Sequence, residues 1–130
     1  MHSADTITLL VDDNLIQAST RTAILQRSGQ KVIVAECGAS ALRLLEDPQT
    51  FDMLGLVITD HLMPGMNGVD LVSKLRKILP SVPILVLSGL PNLEDDYHGL
   101  NVVFRSKPFP PDALISLTRQ MLEEPLGRIA

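Results

Sequence analysis

Residues 57–68 read VITDHLMPGMNG. An unbroken apolar run ends in an acid, Asp60, and the chain then turns at once through Pro64, Gly65 and Gly68. Apolar residues on consecutive positions, rather than alternate ones, mark strands covered on both faces, as in a parallel sheet. The run LVIT at 56–59 has this character, and so do ITLLV at 7–11, KVIVAE at 31–36, PILVLS at 83–88 and NVVF at 101–104. Five parallel strands are predicted.

Segments with helical spacing lie between these runs. Ile16, Thr20, Ala23 and Ile24 form one set, Leu42 and Leu45 a second, Gly68, Val72, Leu75 and Leu79 a third, and Leu114, Leu117 and Met121 a last; each set is expected to face the sheet. Asn14 and Asn67 are suited to cap the first and third helices, Gly29 and Pro80 to end them, and the prolines of FPPD to start the last. Strand and helix alternating in this way predict a doubly wound α/β sheet with right-handed crossovers and helices on both faces. A fourth helix is due within GLPNLEDDYHGL at 89–100, but its glycines, proline and acidic patch leave room for two turns at most. That helix is expected to be short or irregular.

A chain of 130 residues fits one domain, taken as 1–130 with a core from about 6 to 123 and no output domain. A net charge of −4 with no Lys/Arg cluster argues against direct binding of nucleic acid. The single cysteine, Cys37, cannot form an internal disulfide, and no start signal for export precedes the first strand, so a cytoplasmic protein is expected. No run approaches the roughly 18 apolar residues that would cross a bilayer.

Open parallel sheets bind ligands at the carboxyl ends of their strands, beside the point where strand order reverses, because the loops diverge there. Asp12 and Asp13 follow the first run, Asp60 ends the third, Ser88 ends the fourth and Lys107 follows the fifth. Three crowded carboxylates repel one another unless a cation joins them. Mg2+ suits an all-oxygen set, whereas Zn2+ prefers His or Cys ligands that these strand ends lack. A hydroxyl and a compact ammonium suit a phosphoryl-like anion, and a carboxylate beside a metal can itself become an acyl phosphate. Asp60 is the candidate for that step.

LLVDDN, VITDHLMPGMNG, PILVLSG and SKPF, in this order, resemble the response-regulator receiver domain of two-component signalling, over nearly the whole chain. The resemblance implies a five-stranded, three-layer flavodoxin-like (CheY-like) fold of order 2-1-3-4-5. It implies Asp60 as acceptor of a phosphoryl group from a sensor histidine kinase or histidine phosphotransfer protein, with Mg2+ held by Asp12, Asp13, Asp60 and the main-chain carbonyl of Leu62. Ser88 and Lys107 would contact the phosphoryl oxygens, and the Lys107–Pro108 bond would be cis. Ser88 and Phe104 would form the switch, read by a downstream protein partner through the fourth helix, strand five and the last helix. A monomer or weak dimer is implied, with self-phosphorylation and self-dephosphorylation but no turnover of an external substrate.

Phe104 lacks the hydroxyl of the tyrosine more frequent at its place in the family, and only nineteen positions separate Ser88 from Lys107. A pseudo-receiver without phosphotransfer would show damage among Asp12, Asp13, Asp60 or Lys107, and all four are intact. A hydrolase of the haloacid-dehalogenase type would carry an acid two positions after the nucleophile, where Leu62 stands. Several residues have plainer readings. His61 is expected to be an exposed neighbour of Asp60, His2 and His98 surface residues, Cys37 a partly buried filler and EDDY at 94–97 a solvated face.

Overall fold

A computed structural model describes residues 6–123. The strands are β1 (Ile7–Val11), β2 (Lys31–Ala35), β3 (Leu54–Asp60), β4 (Ile84–Ser88) and β5 (Val103–Ser106). All pair in parallel, in the order β2-β1-β3-β4-β5. The helices are α1 (Leu15–Arg27), α2 (Gly38–Leu44), α3 (Pro48–Met53), α4 (Gly68–Ile78) and α5 (Pro111–Glu123), with a 3₁₀ turn at Glu94–Tyr97. The expected doubly wound sheet and shortened fourth helix are both present.

Side chains alternate across the sheet, so neighbouring strand residues enter different cores. Leu9, Val11, Val57, Ile84 and Val86 pack with Ala41, Leu71, Val72, Leu75 and Tyr97 on one face. Leu10, Leu56, Ile58, Leu85 and Leu87 pack with Ala18, Leu25, Leu114 and Met121 on the other. β4 is buried at every position, while the edge strands are not: Val34 of β2 is 41% exposed, and Arg105 and Ser106 of β5 face solvent. Coverage on both faces therefore holds for the three central strands only.

The caps are where the sequence puts them. The Asn14 side chain accepts from the Gln17 amide at 3.0 Å, and Gly29 adopts φ +94° just past α1. Asn67 and Asp70 form a reciprocal capping box at the start of α4, which ends before Pro80.

Four further expectations need correction. The inward face of α1 is Ala18, Arg21, Thr22 and Leu25, while Ile16 is 80% exposed and Thr20 and Ala23 lie outside. The helix is turned by the demand of the small Ala18 and the large Leu25 for the sheet surface, not by the spacing of its other apolar residues. A separate helix, α3, follows α2, started by the Asp47 cap on the Thr50 amide at 3.0 Å and by Pro48 in the first turn. β5 begins at Val103, two residues later than NVVF suggests, because Asn101 takes a left-handed conformation (φ +59°) that breaks extended backbone. Arg76 fixes that stretch: its guanidinium donates to the carbonyls of Leu79, Val82, Leu100 and Asn101 at 2.7–3.0 Å. The fourth correction, at His61 and Tyr97, belongs to the site.

Candidate functional site

β1 lies between β2 and β3, so strand order reverses beside it, and the loops after β1 and β3 open the crevice that such sheets use for ligands. Asp12 directly follows β1 and is fully buried; Asp60 closes β3 and is 3% exposed; Asp13 is exposed. One oxygen from each of the three carboxylates lies within 4.8 Å of the others. Two residues far apart in sequence from one another, Asp12 and Asp60, are thus brought side by side by strand pairing alone.

Positive charge closes this group from one side. Lys107 Nζ stands 3.1 Å from Asp60 Oδ1 and donates to Gln17 Oε1 at 3.3 Å. The Lys107 backbone amide donates to the Ser88 carbonyl at 2.8 Å, and the Lys107–Pro108 bond is cis. A second cation was not anticipated. Arg21, on the inward face of α1, donates through Nη1 to Asp12 Oδ2 at 3.0 Å and to Asp60 Oδ1 at 3.1 Å. A signal for it exists in the sequence, since positions 18, 21, 22 and 25 fall on one helical stripe and the outer two are Ala and Leu.

Burial pushes the Asp12 carboxyl up to about 7, helped by the hydrogen bond and charge it shares with Asp60 and opposed by the Asn14 amide and the Arg21 guanidinium. A carboxyl in that position holds a proton readily and gives it up when a cation offers better compensation. The all-oxygen donor set fits a hard divalent ion, and no His or Cys ligand lies in the cluster.

Ser88 ends β4 beside the site, buried, with its hydroxyl accepting from the Leu90 amide at 3.0 Å. Leu62 is 62% exposed, so its side chain takes no part in the core and only its backbone is available to the site. Phe104 lies on β5 opposite Val86, half-buried against the core.

His61 departs from expectation. It is 7% exposed, and its Nδ1 hydrogen-bonds the Tyr97 hydroxyl at 2.7 Å. Tyr97, within the stretch expected to be solvated, is itself buried, while Glu94, Asp95 and Asp96 do face solvent. Its ring stands edge-on to His61 and tilted against Phe104, both at 5.7 Å between centroids. A tyrosine hydroxyl thus joins this aromatic group from the 3₁₀ turn and meets His61 rather than β5. Gly68 makes room for it: a Cβ there would overlap the Tyr97 hydroxyl and approach His61 Cα to 3.0 Å. His98 is exposed and Cys37 partly buried, as expected, whereas His2 lies outside the described residues.

The family model of the response regulator receiver domain matches residues 8–119. The chain belongs to that family. Among its relatives, the transcriptional regulatory protein YbdJ of Bacillus subtilis is 31% identical over 121 residues, covering 92% of this chain and 52% of YbdJ. The two-component response regulator ARR17 of Arabidopsis thaliana is 43% identical over 91 residues, covering 62% of this chain and 60% of its own length. A response regulator receiver protein of Pseudomonas putida superposes with a TM-score of 0.79 at 29% identity, covering 92% of this chain and 99% of that one. The chain thus spans only about half the length of curated relatives such as YbdJ. Among the described residues no helix is long and apolar enough to cross a membrane.

Proposed function

We propose that this chain is the phosphoacceptor of a two-component relay, with Asp60 as the acceptor. A carboxylate oxygen of Asp60 attacks the phosphorus of a phosphohistidine on a sensor kinase or phosphotransfer protein; the P–N bond breaks, an acyl phosphate forms and the imidazole leaves with its electron pair. The observation that carries this reading is the buried Asp60, with a lysine ammonium 3.1 Å from Oδ1 and two further carboxylates beside it.

Asp12, Asp13, Asp60 and the backbone carbonyl of Leu62 would hold Mg2+, which neutralises charge shared between acceptor and incoming phosphoryl group. Lys107 keeps its ammonium against the acceptor and meets the phosphoryl oxygens, a compact charge suited to that contact. Ser88 exchanges the Leu90 amide for a phosphoryl oxygen, and the segment after β4 follows it. Phe104 moves with that segment, together with Tyr97 and His61, whose rings already touch. Two packings of one aromatic group supply the bistable element, and the new contacts bias it toward a form recognised by a downstream partner. The chain acts on no external substrate, and its only chemistry is gain and hydrolysis of its own phosphoryl group. It works in the cytoplasm as a receiver domain, either as a stand-alone regulator or as the receiver of a hybrid sensor kinase.

Incubation with Mg2+ and acetyl phosphate is expected to add one phosphoryl mass to the parent protein and none to Asp60→Asn. Lys107→Ala is expected to slow phosphorylation at least ~10-fold, in keeping with loss of a positioned cation, while Mg2+ binding changes less than that. An unmodified parent protein would overturn the reading in favour of an interaction module without phosphotransfer.

A further inference from the structure

Arg21 is the member of the rim that the phosphoacceptor reading leaves without a task. A single nitrogen, Nη1, reaches one oxygen of Asp12 and one of Asp60, at 3.0 and 3.1 Å, from a side chain that is 14% exposed. Both carboxylates are assigned above to the metal. Oxygens that bind Mg2+ do so at roughly 2.1 Å and in near-ideal octahedral geometry. A guanidinium kept on the same carboxylates would stand beside a divalent charge, and like charges at that range oppose each other strongly. Asp60 Oδ1 already receives Lys107 Nζ as well, so two cations compete for one oxygen.

Charge balance points the same way. With all three carboxylates ionised, Lys107 and Arg21 leave the rim one net negative charge; with Arg21 withdrawn it carries two, the charge a divalent ion neutralises. There is somewhere for the side chain to go. A groove of about 470 Å³ opens beside it between α1 and α5, lined mainly by apolar residues such as Ile24, Phe109 and Leu114, which can hold the arginine stem while its charged head turns to water.

We propose that Arg21 is a tethered competitor of the divalent cation: its guanidinium bridges Asp12 and Asp60 in the resting site and swings into the α1–α5 groove when those carboxylates take the ion. Rotation of one side chain then gates metal uptake and, through it, phosphoacceptance. The inference rests on the metal assignment made under the proposed function. It gives this site a requirement for Mg2+ higher than its three acids alone would set.

Calorimetric titration of Mg2+ into the parent protein and Arg21→Met, at one pH and ionic strength, tests it. The variant is expected to bind at least ~10-fold more tightly, the effect of removing one neighbouring like charge. Binding equal to or weaker than the parent's would overturn the competitor role and leave the metal assignment standing. Absence of binding in both proteins would overturn the two together, while binding by the variant alone would support both. Should the variant fail to fold, the Arg21 Nε–H resonance of the parent protein gives the answer. Its position is expected to shift toward that of a solvated arginine with the same midpoint as Mg2+ binding, and an unmoved signal at saturating Mg2+ would overturn the inference.

Discussion

Two helices of thirteen residues, α1 and α5, cover one face of the sheet, whereas the opposite face carries α2, α3, α4 and a single 3₁₀ turn. At the carboxyl ends of the strands the two faces are also finished differently. On the α1 side the rim is charged: Arg21 and Lys107 converge on Asp12 and Asp60, and Gln17 accepts from Lys107. On the other side it is aromatic: His61, Tyr97 and Phe104 stack beneath the acceptor strand. Asp60 faces the first arrangement and its chain neighbour His61 the second. Adjacent residues on an extended strand point to opposite faces, so one peptide bond joins an electrostatic half to a packing half.

The comparison can be broken most decisively at Tyr97. If the aromatic half holds the 3₁₀ turn in place, Tyr97→Ala is expected to cost ~3–5 kcal/mol in urea unfolding, the range for loss of a buried aromatic ring. A cost under ~1 kcal/mol would show that the turn is held by other contacts. Tyr97→Phe keeps the ring and removes only the partner of His61 Nδ1, and is expected to cost about 1–3 kcal/mol for the buried group left unpaired. Gly68→Ala should be better tolerated in that background than alone, by at least ~1 kcal/mol of coupling, because the hydroxyl its methyl would strike is gone.

The charged half should respond to pH instead. Asp12 is raised from 3.8 to about 7, chiefly by burial, so between those values the native state keeps a proton that the unfolded chain has lost. Stability therefore falls as pH rises through that window and returns on acidification. Without divalent ions the melting temperature is expected to be ~3–5 °C higher near pH 5.5 than near pH 7.5, the shift made by about 1 kcal/mol in a domain of this length, and Asp12→Asn should flatten the dependence. Effects of similar size are expected at the two caps. Asn14→Ala on the charged side and Asn67→Ala on the aromatic side should each cost about 0.5–2 kcal/mol, with the capping box placing Asn67 at the upper end.

These halves were not equally legible in the sequence. ITLLV is β1 to the residue, because this central strand is buried from Thr8 to Val11 and nothing competes with the apolar run. Asp12, Asp13, Asp60 and Lys107 were readable as a group because strand ends in an open sheet converge whatever the loops do. The orientation of α1 was not, since Leu15 and Ile16 are apolar yet exposed, and they pull the apparent stripe away from Ala18 and Leu25. An arginine on a helix is read as solvated, so the same misplaced stripe hid Arg21. His61 and Tyr97 were missed for a different reason: their burial depends on each other across 36 positions, and neither carries a periodic signal. Gly68 was read as part of the apolar stripe of α4, whereas its importance lies in the atoms a larger side chain would strike.

Arg76 gives this asymmetry a mechanical side. By holding the carbonyls of Leu100 and Asn101 together with those of Leu79 and Val82, it rivets the far end of the excursion between β4 and β5 to the end of α4 and its following loop. The near end, at Ser88 to Leu90, is fastened by one hydroxyl. Between these two ends the strip has one inner anchor, the buried ring of Tyr97 with its 2.7 Å hydrogen bond to His61 Nδ1. If Ser88 turns to a phosphoryl group as proposed, the slack would therefore lie between Ser88 and the Tyr97 anchor, while Arg76 would keep the approach to β5 in place.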